Sequence, residues 1–223
     1  MARRLTPLVT DFYYHVFNRG VNKRRIFLNK RDHQRAINLA RFYRYLNYPI
    51  RFSKFLLLHR DQRKEIWQRL EKDEKFVDVL SYCLMPNHFH FLVKQNVDNG
   101  VSKFMSNFEN SYTKYFNIKN SRVGPLLQGP FKAVKIDSEE QLLHVSRYIH
   151  LNPYSSAVVG SLNDLINYPW SSFPEYISGV EFNFCQKDLL LSQFKNQDSY
   201  KVFVFDNADY QKTLEDVKHL TLE

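Results

Sequence analysis

Cysteine is almost missing from this 223-residue sequence: Cys83 and Cys185 are the only two, and no CxxC spacing occurs. A disulfide framework and a cysteine-built zinc site are therefore excluded. Long apolar runs are missing as well. No stretch reaches the roughly 18 consecutive apolar residues that a membrane span requires, and the first 30 residues hold no apolar run of signal-peptide type. The expectation is a cytoplasmic protein with no membrane partner. Internal repeats and low-complexity tracts are absent too.

What is present is ample core material, 43% hydrophobic and 16% aromatic, enough to exclude wholesale disorder. The net charge of +9 is unevenly placed. Residues 1–75 carry 19 Lys+Arg against 7 Asp+Glu, a balance of +12, whereas residues 76–223 carry 13 against 16. Aromatics are interleaved with the basic third: Phe12, Tyr13, Tyr14, Phe17, Phe42, Tyr43, Tyr45, Tyr48 and Phe52. Such a mixture suits phosphate neutralisation and stacking of unpaired bases, which points to nucleic acid. A solvated helix face is the alternative reading.

Along the chain, Phe12–Asn18 reads as a strand and Arg19-Gly20 as a turn. Asn29–Asp32 opens a helix whose apolar positions, Ala36, Leu39, Ala40, Tyr43 and Leu46, recur at helical spacing. Residues 47–75 lack the Gly, Ser and Pro richness of a linker and read as a helical insertion. Phe76–Leu84 and His88–Lys94 form a hairpin across Met85-Pro86-Asn87. A long helix follows the turn at Asn96–Gly100, with Val101, Phe104, Met105, Phe108, Tyr112, Tyr115 and Phe116 as its stripe. After a loop at Asn120–Gly129 come a strand over Phe131–Ile136 and a helix over Gln141–Leu151, stopping at Asn152-Pro153. The order β-α-β-β-α-β predicts an α+β, ferredoxin-like antiparallel sheet with helices on one face. The expected division is a catalytic domain over residues 1–160 and a C-terminal extension over 161–223, packed on it, acidic, and holding a strand at Tyr200–Phe205.

The chemistry-bearing stretch is Leu84-Met-Pro-Asn-His-Phe-His-Phe-Leu-Val93. Strand alternation puts His88 and His90 on one face and Phe89 and Phe91 on the other, a pairing that suits two metal ligands on a rigid strand. On the pair alone, two incidental histidines in a half-buried strand remain an alternative. The last helix of the core offers His144, Tyr148 and Asn152 at i, i+4 and i+8, hence on one face. A tyrosine can attack phosphorus covalently, and an asparagine amide oxygen can complete a metal shell.

The run around His88 and His90, together with Gly124-Pro-Leu-Leu-Gln-Gly-Pro-Phe-Lys132, Tyr148-Ile-His-Leu-Asn-Pro153 and Tyr168-Pro-Trp-Ser-Ser-Phe173, resembles the REP-associated tyrosine transposases. These are a branch of the HUH single-strand nucleases, and the resemblance spans roughly residues 10–177. It implies that His88, His90 and Asn152 hold Mg or Mn. It also implies that Tyr148 is the nucleophile, leaving a 5′-phosphotyrosine and a free 3′-OH at hairpin-bearing single-stranded DNA, with rejoining by the reverse transesterification. Localisation would then be cytoplasmic and nucleoid-associated. The insertion at 47–75 and the extension after about 178 exceed what the compact family core requires. A monomer is favoured over a dimer. Arg3, Arg4, Arg19, Lys23, Arg24 and Arg25 are the expected DNA contacts.

Two other readings stay open: a non-catalytic DNA or RNA hairpin-binding module on the same fold, and a metal hydrolase using activated water with His144 as base. Tyr112 and Tyr115 are rival nucleophiles whose apolar spacing suits core packing or stacking. The transposase reading carries a geometric condition: the face bearing His88 and His90 must look at Tyr148 and Asn152.

Overall fold

A computed structural model describes residues 7–178 and 184–220. Strand β1 (Tyr13–Arg19) leads into helix α1 (Lys30–Tyr43). The insertion then forms two short helices, α2 (Phe52–Phe55) and α3 (Arg60–Leu70). Strands β2 (Val77–Met85) and β3 (His88–Gln95) follow as the hairpin, then helix α4 (Gly100–Lys119) and strand β4 (Lys132–Ile136). Helix α5 (Glu139–Ser155) precedes five C-terminal helices: α6 (Leu162–Ile166), α7 (Phe173–Ile177), α8 (Asp188–Leu191), α9 (Gln197–Phe205) and α10 (Ala208–Leu220). The sheet is antiparallel in the order β2-β3-β1-β4, the ferredoxin-like order expected of β-α-β-β-α-β. No helix among the described residues is long and apolar enough to cross a membrane.

Each face of the sheet has its own core. On the first, Tyr14, Val16, Phe89, Phe91 and Val93 pack with Ala36 and Ala40 of α1 and Phe104 and Phe108 of α4. The unit's two helices thus share one face, as the sequence predicts. The second face is also covered: Leu92, Cys83 and Met85 meet Leu142 and Ile149 of α5, Leu165 of α6, and Tyr200 and Val204 of α9. Strand β2 serves both cores through a register shift between Val79 and Ser81. Before it, odd-numbered Val77 and Val79 face the first core; after it, even-numbered Tyr82 and Leu84 do, which turns Cys83 and Met85 toward the second.

The outer edge of β2 would expose backbone donors and acceptors, and the chain after α6 covers it. Leu84 N donates to Trp170 O at 2.8 Å, Ser172 N to Tyr82 O at 3.0 Å, and Gln186 N to Val79 O at 2.8 Å. The motif Tyr168–Phe173 is thus an edge cover, with the Tyr168 hydroxyl donating to Leu84 O at 2.8 Å.

Two local expectations need correction. Tyr200–Phe205 belongs to α9: Asn196 caps the helix by accepting from Ser199 N, and Tyr200 and Val204, one turn apart, bury against α5. The β-branched and aromatic alternation there imitates a strand, and tertiary burial overrides it. Nor does α5 stop at Asn152-Pro153; it runs to Ser155 with Pro153 inside. A proline's own φ is helical, and late in a helix it removes only one hydrogen bond. The extra turn keeps Asn152 in helical geometry.

Candidate functional site

The site is built on the second face, between the centre of the sheet and α5. Pro86 O accepts from Ile26 N at 2.8 Å and Phe27 N at 3.1 Å, and Gly20 N donates to Asn87 O at 2.8 Å, so the hairpin turn and the loop after β1 brace each other. Gly20 is required there, since a Cβ would lie 2.3 Å from Arg24 O. The braced turn launches β3 with His88 and His90 on the second face and Phe89 and Phe91 in the first core. Their rings stand 4.9 Å apart and nearly perpendicular.

Helix α5 supplies the facing residues. Ser138 caps it by accepting from Gln141 N, Glu139 and Glu140 suit its positive N-terminal end, and buried Leu142 and Ile149 fix its rotation. Tyr148 and Asn152 then project toward the histidines. The Tyr148 ring is edge-on to His90 at 5.7 Å, and Asn152 Oδ1 is 3.2 Å from His88 Nε2. The geometric condition stated from the sequence therefore holds. His150, between them, points the other way, hydrogen bonded to the Ser172 hydroxyl (2.8 Å) and the Tyr200 hydroxyl (2.9 Å), and burial pushes its pKa down to about 3. Gln211 of α10 steadies the end of α5, donating to Tyr148 O at 3.1 Å and Ser155 Oγ at 3.2 Å.

His15 is a site residue that the sequence reading passed over. Strand β1 lies beside β3, so His15 and Phe17 line the second face next to the histidine pair. His15 Nε2 is 2.8 Å from His90 Nδ1, and its ring lies 5.9 Å from that of Tyr148. Burial pushes its pKa down to about 4, so it is neutral near pH 7. The signal for it lies in strand pairing: a second His-x-aromatic strand becomes visible only once β1 is set against β3.

These groups open onto a cavity of about 470 Å³ that Arg19, Arg25, Gln128, Lys132 and Ser156 also line. Of the residues expected from the sequence to contact DNA, Arg19 and Arg25 line this cavity, and the Arg19 Nε is buried with no hydrogen-bond partner among the described residues. Lys132, at the start of β4, adds a cation that the reading from sequence missed. Lys23 and Arg24 are exposed on the adjoining loop, and Arg3 and Arg4 lie outside the described residues.

Other candidates are placed elsewhere. His144 sits on the outer surface against Arg147 (2.6 Å), Glu140 and Phe203, away from the cavity. Tyr112 and Tyr115 belong to the first face, their hydroxyls donating to Ile26 O and Asp32 Oδ1. Tyr14, Phe42, Tyr45 and Phe52 are core residues and are closed to stacking by bases.

Among the described residues, no group of three or more His, Cys, Asp or Glu could hold a metal. The donor set here is two imidazoles and one amide oxygen. His88 stands between two carbonyl oxygens, with Nδ1 2.6 Å from Asn87 Oδ1 and Nε2 3.2 Å from Asn152 Oδ1. A neutral imidazole donates to only one of them. With the proton on Nδ1, the Nε2 lone pair faces the Asn152 oxygen, an arrangement that suits a shared cation. Their 3.2 Å separation is close to the roughly 3.0 Å between adjacent ligands of an octahedral Mg²⁺ with bonds of about 2.1 Å. The residues present fit such an ion.

Comparison with known proteins follows the geometry. Residues 51–152 match the family described as IS200-like transposases, a span that holds His88, His90, Tyr148 and Asn152 and leaves out β1. No curated protein matches. A solved structure of a REP-associated tyrosine transposase bound to a REP hairpin superposes with a TM-score of 0.54 at 14% identity, over 85% of this chain and 93% of that one. Over residues 51–152 the chain is thus similar to the IS200-like transposases, and its fold is similar to that of a solved REP-associated tyrosine transposase.

Proposed function

We propose that the protein is a metal-dependent single-strand DNA endonuclease and strand-transferase acting at hairpin-bearing sites. One observation carries the reading: a strand bearing two histidines faces a helix bearing a tyrosine and an asparagine one turn apart, across a cavity lined by cations. The hairpin held by the structural relative supports the choice of substrate.

His88, His90 and Asn152 would hold Mg or Mn, which supplies charge neutralisation at a non-bridging phosphate oxygen. Asn87 Oδ1 lies 2.6 Å from His88 Nδ1 and His15 Nε2 lies 2.8 Å from His90 Nδ1; with the proton on each Nδ1, both imidazoles would have Nε2 left for such an ion, the role that outer partners play for ligating histidines. Arg19, Arg25 and Lys132 bind the strand's phosphates. The Tyr148 hydroxyl attacks phosphorus in line and loses its proton to solvent; the bond from phosphorus to the 3′-oxygen breaks, and that oxygen takes a proton from solvent to leave as the free 3′-OH. The 5′-phosphotyrosine keeps the phosphodiester energy, so attack by another 3′-OH reverses the sequence of bonds without a high-energy cofactor.

The test uses labelled single-stranded hairpin DNA. With Mg²⁺ or Mn²⁺ a denaturation-resistant protein–DNA adduct is expected, lost in Tyr148→Phe and cut at least a hundredfold in His88→Ala. An adduct of wild-type yield in Tyr148→Phe would overturn the assignment. Tight hairpin binding without a metal site would favour a non-catalytic module, and cleavage without linked DNA a hydrolase.

A further inference from the structure

A larger cavity, about 840 Å³, lies on the far side of the first core, between α1, α4 and the insertion. It is separated from the Tyr148 site by the thickness of the sheet, since α1 and α4 cover one face and α5 the other. The insertion supplies one wall, so the cavity depends on a segment that the compact fold does not need.

Its lining combines flat apolar surface with one sign of charge. Leu39, Tyr43 and Phe52 are buried, and Tyr48 and Tyr115 are half-buried beside them. Arg31, Arg35, Arg51 and Lys114 supply cations, and no carboxylate lines the space. The neighbouring Asp32 is already committed to Leu28 N, the Tyr115 hydroxyl and Lys119 Nζ. None of the four cations forms an ion pair with a carboxylate among the described residues. The Arg35 guanidinium lies 4.6 Å from the centre of the Tyr115 ring and 5.5 Å from that of Phe52, which adds a planar cation to the aromatic surface. The volume is within the roughly 300–1,000 Å³ of small-ligand sites. An occupant complementary to it has a flat ring and negative charge, which is the chemistry of a nucleotide.

We propose that this cavity receives an unpaired nucleotide of the DNA strand, its base against Tyr48 and Tyr115 and its flanking phosphates on Arg31, Arg51 and Lys114. The choice of a strand over a free nucleotide rests on the nuclease reading above; the nucleotide chemistry rests on the cavity. It would act as a second hold on the strand, remote from the scissile phosphate and particular to chains with this insertion.

The experiment uses the full-length Tyr148→Phe chain, so that binding is read without cleavage and stands whether or not the nuclease reading does. Fluorescence anisotropy with a short labelled oligothymidylate is compared between the parent, the pair Arg31→Glu with Lys114→Glu, and the control pair Arg60→Glu with Lys64→Glu on α3. The cavity pair should weaken binding at least tenfold and reduce the slope of log K against log salt by about 1.4, as loss of two single-strand phosphate contacts requires. The control pair should weaken it less than threefold. Photocrosslinking of an oligonucleotide carrying 5-iodo-2′-deoxyuridine to the unaltered cavity should modify Tyr48 or Tyr115, which keeps the test open if a charge-reversed pair folds poorly. Equal weakening by both pairs, or crosslinks confined to the Tyr148 face, would overturn the proposal. So would a deoxynucleoside monophosphate that protects the cavity tyrosines while the strand does not.

Discussion

His15 and Asn87 each hold the ring nitrogen of a proposed ligand opposite the one offered to metal. Loss of such an orienting partner ordinarily lowers metal affinity about 10–100-fold. His15→Ala and Asn87→Ala should each weaken Mn²⁺ binding by that factor in a paramagnetic resonance titration without DNA; wild-type affinity in both would remove them from the site. His88 and His90 were legible in the sequence as a strand pair, whereas Tyr148 and Asn152 share their helical spacing with His144 and were singled out by the family resemblance. His15 was not legible, because its relevance lies in register, His15 opposite Leu92 and Phe17 opposite His90, which no local pattern encodes. Lys132 was hidden for the same reason.

The elements divide into those that form the site and those that hold it. Ser172 accepts from Tyr82 N at 2.9 Å and bonds His150 at 2.8 Å, tying the edge cover to β2 and to the back of α5. Ser172→Ala leaves two buried polar groups short of a partner and should cost about 1–3 kcal/mol in denaturant unfolding; an unchanged unfolding midpoint would mean that the cover is not held this way. Glu175 of α7 is buried beside β2, its hydroxyl partner Tyr82 at 3.3 Å, and burial pushes its pKa up to about 7 against the offsetting Lys187, Tyr82 and Arg41. A carboxyl whose folded pKa is raised contributes its stability fully at low pH. That contribution is lost as pH rises from the unfolded value near 4.5 through 7, by about 3 kcal/mol at most. Glu175→Gln should flatten the thermal-stability profile over that window relative to wild type; parallel profiles would show that Glu175 ionises without penalty. Long periodic helices and the hairpin were readable from sequence, whereas α9 imitated a strand and α5 outran its proline, because burial against a neighbouring element decided both.

At the scale of the whole molecule, the fold places two cation-lined cavities on opposite sides of one sheet, and the basic surplus of residues 1–75 feeds both through Arg19 and Arg25 at one and Arg31, Arg35 and Arg51 at the other. Binding to a single strand should therefore fall steeply with salt, with a log–log slope of about −3 or steeper for four or more phosphate contacts. A slope near zero would contradict an electrostatic hold. The basic composition was readable as a nucleic-acid signature, but its aromatic half was not a stacking surface as such. Phe42, Tyr45 and Phe52 serve the first core, and Arg44 is buried on Phe184 O. Composition counts residues without saying which face they take.

The most direct measurement is peptide-level mass spectrometry of the protein after incubation with Mn²⁺ and a hairpin-bearing single strand, followed by nuclease trimming. The expected result is a nucleotide mass on the α5 peptide, localised to Tyr148 and dependent on the metal, with a free 3′-OH on the released strand. A nucleotide mass on another tyrosine, or cleaved DNA carrying a free 5′-phosphate with no modified peptide, would contradict the site described here.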